Sequence, residues 1–453
     1  MKKWYIIIII AGCCCATSAQ SVQNSMKLVS SPRLYDAVVA VDGTGNYRSV
    51  QDAIDAAPAN RHVPWLIFIK TGNYKGTVNI PRDKPLIHLI GQDRDKTVIH
   101  EKLHVGAQPQ EGSPWYSNDT AAWKFSTHNP QSPVYRTQGS VVIVSASDFY
   151  AENITFQNDY GVEAQTGPQA LALRTQNDRS TFYNCNFRSF QDTWQTSSAG
   201  INDRIYAYKC LIEGAVDYFY GGGNAYIEEC TFYNLRTGSV IVAPNHREGT
   251  QWGYVFHNCI VDGNAASNDG QQKLGRPWRN EPIAVFLNTT MKIQIHPEGW
   301  TDMGSAAKLF AEYNSMDVNG KPLDLSQRRT WYRQRENQGG QVITGLKAVL
   351  TAEEAAQYTY ENVVSGADGW NPRSHFGRVT KPTNLVLTNH TLSWNASENA
   401  ICYIVIKDEQ VIGFTVDTKY VIASVDKTAK YALYAVGESG SLSVLSNTVM
   451  SSK

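Results

Sequence analysis

The sequence predicts an all-β protein, a single-stranded parallel β-helix followed by a small β-sandwich. Three observations predict it. First, a small polar or thiol residue with an apolar residue close behind recurs at Asn153-Ile154-Thr155-Phe156, Cys185-Asn186-Phe187, Cys210-Leu211-Ile212, Cys230-Thr231-Phe232 and Cys259-Ile260-Val261. Second, strand-like runs precede these marks, as at Ala170-Leu171-Ala172-Leu173, Arg204-Ile205-Tyr206-Ala207-Tyr208 and Gly253-Tyr254-Val255-Phe256. Third, the marks are unevenly spaced at roughly twenty to thirty residues, as in a solenoid whose insertions enter the turns rather than the stacked strands. Hairpin strands of a sandwich would instead carry turn signals about every 8–12 residues.

Taken in order, the chain opens with what reads as an export signal over residues 1–19. Lys2 and Lys3 precede an apolar run from Trp4 to Gly12 that is too short to span a bilayer. Two cleavage outcomes compete. Ile10-Ala11-Gly12-Cys13 resembles a bacterial lipobox, which would anchor Cys13 by a lipid; a cut after Ala19 would release a free protein. Either route takes the chain out of the cytoplasm, to the periplasm, the outer membrane or the medium. The β-helix is expected over residues 35–375. Ser49-Val50-Gln51-Asp52-Ala53-Ile54-Asp55-Ala56-Ala57 has apolar residues at helical spacing and is expected to cover the N-terminal end, since a solenoid needs caps. Residues from about Lys102 to Arg136 are rich in Pro, Trp, Ser and Asn and read as a long excursion from the stack. Ala352 to Tyr358 is a second helical candidate. Residues 381–453 carry Leu392-Ser393-Trp394, Tyr403-Ile404-Val405-Ile406 and Tyr431-Ala432-Leu433-Tyr434-Ala435-Val436. That alternation suggests a small β-sandwich similar to a fibronectin type III module. Its expected role is spacing or docking, and its deletion from about Lys381 is expected to spare activity on short oligomers of substrate.

Composition narrows the function. Lys plus Arg and Asp plus Glu each number 41, so no net charge favours nucleic acid or an anionic membrane. The 24 Tyr and 11 Trp suit stacking on sugar faces, although packing accounts for most of them. Beyond the leader, Cys185, Cys210, Cys230, Cys259 and Cys402 are odd in number and fit no zinc spacing. The repeat suggests buried, stacked thiols. No metal or organic cofactor is expected.

Asp192 in Phe190-Gln191-Asp192-Thr193-Trp194 and Asp217 in Val216-Asp217-Tyr218-Phe219-Tyr220-Gly221 lie at the same offset from Cys185 and Cys210. Equal offsets place them at one station on consecutive coils, about 4.8 Å apart. Two carboxylates so close cannot both ionise easily, which makes one an acid and the other a base or nucleophile. A lone loop aspartate is usually a turn residue, but the shared offset outweighs that reading. No Gly-x-Ser-x-Gly run supports a serine triad, so His246 and His257 are read as structural. Gly221-Gly222-Gly223 lacks the following Lys-Ser or Lys-Thr of a phosphate loop.

Five motifs then fall in one order: Gly43-Thr44-Gly45-Asn46-Tyr47, Gly167-Pro168-Gln169-Ala170-Leu171-Ala172-Leu173-Arg174, Gln191-Asp192-Thr193, Asp217-Tyr218-Phe219-Tyr220-Gly221 and Leu274-Gly275-Arg276-Pro277-Trp278. The chain from about Val38 to Pro372 thereby resembles the pectin methylesterase (pectinesterase) family, carbohydrate esterases on a right-handed parallel β-helix. The resemblance implies removal of methyl esters from galacturonate in pectin, that is, methylated homogalacturonan. It assigns Asp217 as nucleophile and Asp192 as general acid, then base. It makes Gln191 and Gln169 oxyanion donors, Arg276 the residue orienting the nucleophile, and Trp278 an aromatic beside the sugar. These roles are physically coherent: an arginine favours a charged attacker, and amides donate without adding a competing charge. Gln169 could instead be a rung of an internal polar ladder. The chain departs from the family at Trp194, Tyr218 and Tyr220, which are expected to reshape the substrate groove. A monomer is expected. The alternatives are a pectate lyase or polygalacturonase on the same scaffold, whose acid and base clusters are not apparent, and a non-catalytic surface β-helix that binds glycans.

Overall fold

The structure is a computed structural model describing residues 31–105, 139–162, 165–197, 200–336, 339–424, 426 and 428–450. The leader, Cys13 and most of the Pro- and Trp-rich excursion lie outside the described residues. Three parallel sheets of ten, nine and seven strands run through the body. One coil passes through Arg204–Tyr208 in the ten-stranded sheet, Leu211–Gly214 in the nine-stranded sheet and Val216–Gly221 in the seven-stranded sheet. Each strand pairs in parallel with its equivalents on the coils before and after it, as Arg204–Tyr208 does with Ser180–Tyr183 and Asn224–Glu228. This is a parallel β-helix.

A single residue makes the corner between the ten- and nine-stranded sheets. Asn153, Asn184, Lys209, Glu229, Asn258, Asn288 and Asn314 all adopt left-handed backbone there, with φ between 50° and 57°. Asparagine tolerates that region better than most side chains, which explains its prevalence. The next residue points inward, and on four successive coils it is Cys185, Cys210, Cys230 and Cys259, all buried free thiols. The Cys185 amide donates to Cys210 Sγ at 3.4 Å and the Cys210 amide to Cys230 Sγ at 3.2 Å. The thiols stack as expected. One detail of the repeat is corrected: Thr155 pairs with Asn186, so Ile154, not Asn153, is the partner of Cys185. Asn153 belongs instead with Asn184 at the corner, where their side chains hydrogen-bond at 2.6 Å.

The helix expected at the N-terminal end, α1, spans Val50–Asp55 and is capped by Ser49, whose hydroxyl accepts from the Asp52 amide at 3.1 Å. Its Val50, Ala53 and Ile54 join the main core and close that end of the stack. The second helix, α2, spans Ala352–Ala355 and carries a reciprocal capping box between Thr351 and Glu354. It belongs to a segment that lies along the outer face of the ten-stranded sheet. There Leu350, Tyr360, Val363 and Val364 cover Tyr206, Tyr226, Val255 and Val285. Among the described residues no helix is long and apolar enough to cross a membrane.

After Pro372 the chain forms two antiparallel sheets. One orders Thr383–Thr388, Thr391–Asn395 and Lys419–Val421; the other orders Gln410–Thr415, Cys402–Lys407, Lys430–Val436 and Val449–Met450. Leu392, Trp394, Tyr403, Val405 and Leu433 fill the space between them. The alternating residues Cys402, Ile404 and Ile406 face the other way and pack on Tyr35, Leu66, Phe68, Ile90 and Tyr150 of the β-helix. Both faces of this four-stranded sheet are therefore buried. Loss of this module would bare a patch of large apolar side chains on the coil.

Candidate active site

The seven-stranded sheet positions the candidate residues. Its registers pair Leu173 with Trp194 and Trp194 with Phe219, so Asp192 and Asp217 occupy one station on neighbouring coils. The Asp192 amide donates to the Val216 carbonyl at 2.9 Å. Both aspartates are left-handed, at φ 64° and 48°, and the ladder shifts register between Val216 and Phe219. This bulge re-aims the Asp217 side chain away from the regular pleat, a usual role of bulges beside active sites.

Arg276 follows the strand Lys273–Gly275 and grips both oxygens of Asp217, from Nε at 2.8 Å and Nη2 at 2.7 Å. Such a fork-to-carboxylate pair fixes orientation as well as charge. The Asp217 side chain is 8% exposed and that of Arg276 27%. Asp192 is also buried. Burial first, and then the neighbouring Asp217 charge, push the Asp192 carboxyl well above the ordinary carboxylate range. Hydrogen bonds from Tyr220 and Gln191 and the Arg276 charge oppose that shift without cancelling it. The two acids are thus differentiated, one clamped by a guanidinium and one retaining its proton to higher pH. That is the division of labour an acid–nucleophile pair requires.

Gln191 and Gln169 are half-buried at adjacent coils, joined where the Ala170 amide donates to the Gln191 carbonyl at 3.0 Å. Gly167 makes room for the Gln191 amide, since a Cβ there would lie 2.4 Å from Gln191 Oε1. In the sequence, nothing marks Gly167 for this task beyond its place at the head of the Gly167–Arg174 motif. Trp278 is half-buried and meets Tyr220 edge-on, with ring centroids 5.7 Å apart; Leu171, Ala243, Val105 and Met303 complete that wall.

Two expected groove residues are elsewhere. Trp194 is fully buried in the coil interior against Phe182, Phe187 and Phe219, with centroids 4.9, 4.4 and 5.2 Å away. Tyr218 is fully buried too, and its hydroxyl donates to Asn234 Oδ1 at 3.2 Å. The bulge explains Tyr218: it sends two consecutive side chains, Tyr218 and Phe219, to the same inner face. Tyr220 does face the site, but it is nearly buried and its hydroxyl meets the Asp192 carboxyl. It positions the acid rather than shaping an open subsite. Among the described residues no cluster of three or more His, Cys, Asp or Glu could hold a metal ion.

Comparison with known proteins agrees with this architecture. The pectinesterase family model matches residues 36–123 and 119–367. A pectinesterase of Petunia integrifolia is 28% identical over 349 residues, covering 74% of this chain and 81% of its own. Pectinesterase 31 of Arabidopsis thaliana is 34% identical over 304 residues, covering 65% of this chain and 86% of its own. The chain spans only about half of other matched relatives, such as the pectinesterase/pectinesterase inhibitor 3 of Arabidopsis thaliana, at 51%. Among solved structures, the pectin methylesterase from carrot superposes with a TM-score of 0.58 at 25% identity, covering 77% of this chain and 98% of that one. The second matched segment covers most of the coil, and the fold is that of the carrot enzyme. The chain belongs to the pectinesterase family.

Proposed function

We propose that this protein is a carboxylic ester hydrolase that removes methyl esters from galacturonate units of pectin, releasing methanol and free carboxylates. The observation that carries the proposal is the unequal aspartate pair: Asp217 clamped by Arg276 beside a buried, proton-retaining Asp192. A related pectin methylesterase has been captured in complex with a hexasaccharide, which fits a polymer substrate lying across the site.

In this reading an Asp217 oxygen attacks the ester carbonyl, whose electron pair moves onto its oxygen. Amide donors of Gln169 and Gln191 receive that charge. Collapse of the intermediate expels the methoxy group, and Asp192 gives it a proton, so methanol departs and an acyl-Asp217 anhydride remains. Asp192, now a carboxylate, takes a proton from water as the water attacks the anhydride. Asp217 leaves as carboxylate and Asp192 is reprotonated. Tyr220 holds Asp192 in place throughout, and Trp278 walls the sugar site. All these groups come from one chain, consistent with a monomer. Export rests on the Lys2-Lys3 leader and suits a substrate that lies outside cells.

Asp217→Asn keeps the side-chain shape and removes the attacking charge. It is expected to abolish methanol release from highly methylated pectin, with the melting temperature close to wild type. Retained turnover would reject the nucleophile role. Chain cleavage without methanol release would favour a lyase or polygalacturonase, and binding without either product would favour a glycan-binding surface.

A further inference from the structure

On the outer face of the ten-stranded sheet, a cavity of about 480 Å³ opens between the coil and the segment around α2. The aspartate pair belongs to a different sheet, the seven-stranded one. Tyr226, His257, Leu287, Tyr313, Tyr358 and Tyr360 form most of the cavity wall. We propose that this cavity is an accessory binding site for a neutral sugar unit of a glycan, separate from the catalytic groove. The inference stands apart from the ester-hydrolase reading, since it uses none of the residues of that site.

The registers of the sheet build the floor. Glu228, His257, Leu287 and Tyr313 pair in succession along one column, and Tyr226 lies two residues before Glu228 on the same face. Tyr226 is only 2% exposed, yet its hydroxyl has no hydrogen-bond partner among the described residues. Its ring is held firmly: Tyr206 and His257 stack against it at centroid distances of 6.3 and 5.8 Å, and Tyr360 meets it edge-on at 6.0 Å. His257 Nδ1 is likewise buried without a hydrogen bond, and Glu228 Oε1, at 3.8 Å, is beyond reach of one. Buried polar groups left unpaired cost stability, and native interiors seldom tolerate them. Here a hydroxyl that can donate or accept and a ring nitrogen stand open on fixed rings, which is what a ligand hydroxyl satisfies.

The surrounding charges select the ligand. Glu228 is fully engaged: Arg373 Nη2 reaches both its oxygens at 2.6 and 2.7 Å, and the Tyr206 hydroxyl donates to it at 2.5 Å. The Arg373 guanidinium is in turn covered by Tyr360, 3.8 Å from the ring centroid. That pair cancels within the wall and leaves the floor without net charge. At the rim, Glu361 is exposed and has no cation at ion-pair distance among the described residues. A sugar bearing a carboxylate meets a like charge there, whereas a neutral pyranose does not. The C–H faces of a pyranose suit the half-buried rings of Tyr313 and Tyr358, and its hydroxyls suit Tyr226 and His257. A mostly aromatic wall with a few convergent polar atoms is the usual make-up of a small-molecule site, and the volume lies in the usual range.

The test uses the full-length protein and a panel of neutral probes, the methyl pyranosides of galactose, glucose, mannose and xylose, beside the charged methyl galactosiduronate. Saturation-transfer NMR detects binding and titration gives Kd. At least one neutral probe should bind in the millimolar range, and Trp278→Ala, which alters the catalytic groove, should leave that Kd unchanged. Tyr226→Phe removes only the unpartnered hydroxyl, so it should keep the melting temperature and weaken the neutral probe about threefold to tenfold, as for one hydrogen bond. His257→Phe keeps the stack on Tyr226 and should weaken it similarly. Glu361→Gln should tighten the charged probe about twofold to fivefold, the size of an exposed charge contact, and leave the neutral one unchanged. Failure of the whole neutral panel, or an unchanged Kd in both Tyr226→Phe and His257→Phe, would overturn the site. A charged probe that binds as tightly as the neutral ones would overturn the ligand class. Methanol release from short methylated oligogalacturonates should be the same in Tyr226→Phe as in the wild type; a loss there matching the loss of sugar binding would overturn the separation of the two sites. Sugar binding with this pattern but no methanol release by the wild type supports the cavity and rejects the esterase reading instead.

Discussion

Trp194 separates two readings of the same motif, and substituting it tells them apart. Two residues after Asp192 in sequence, it would be a groove aromatic if the strand simply alternated outward from the acid. In the structure it is fully buried, packed on Phe182, Phe187 and Phe219, with its indole Nε1 donating to Thr175 Oγ1 at 3.3 Å. Trp194→Ala should therefore cost about 3–5 kcal/mol, the range for emptying a large aromatic site in a close-packed core. Trp194→Phe retains most ring contacts and loses the Nε1 bond, while the Thr175 hydroxyl keeps the Gln195 carbonyl as acceptor at 3.4 Å, so it should cost about 0.5–1.5 kcal/mol. Trp278→Ala is the contrast: a half-buried ring on the groove wall should raise KM with a smaller loss of stability. Urea unfolding followed by tryptophan emission and by circular dichroism reads the first effect as a lower midpoint at unchanged slope. Methanol release on methylated pectin reads the second. A Trp194→Ala protein with a wild-type midpoint and a raised KM would refute the core assignment and return the indole to the groove.

Three other outcomes are expected. Gln191→Ala should lower kcat by about 10²–10³ with little change in KM, as for loss of an oxyanion donor; a pure KM effect would remove that role. Asp192 carries a carboxyl raised by burial and by Asp217, so the folded state binds its proton more tightly than the unfolded state does. The associated stability is complete below the unfolded carboxylate range and is lost as pH rises. Asp192→Asn should therefore raise the melting temperature at pH 7 but not near pH 3.5, while stopping methanol release; equal effects at both pH values would contradict the sign. Truncation before Lys381 should expose Leu66, Phe68, Ile90, Tyr35 and Tyr150. At about 1.5–3 kcal/mol per large apolar side chain, the truncated coil should melt earlier and aggregate, and a fully stable, soluble truncation would show that the contact carries no weight.

Much of the fold was legible because a β-helix repeats its constraints. A corner that demands left-handed backbone recurs as Asn184, Asn258, Asn288 and Asn314, and on four successive coils the inward residue after the corner is cysteine. The site was legible for the same reason, since a common offset from Cys185 and Cys210 put Asp192 and Asp217 on one ledge. Alignment by the small residue alone slipped one place at Asn153, because asparagine suits the corner whereas cysteine suits the position after it.

The sequence by itself determined the coil and the shared station of the two acids, since both follow a periodic scaffold, while Gln169, Gln191 and Arg276 entered through the family motifs they stand in. Tertiary structure alone decided which way Trp194 and Tyr218 point. Left-handed backbone at Asp192 precedes Trp194, and a bulge at Asp217 breaks the two-residue alternation before Tyr218; a pattern along one strand cannot reveal a slip that only pairing with its neighbours creates. The same holds for Tyr360 against Tyr226 and for Ile404 against Phe68. These partners are remote in the chain and share no period, so only packing brings them together.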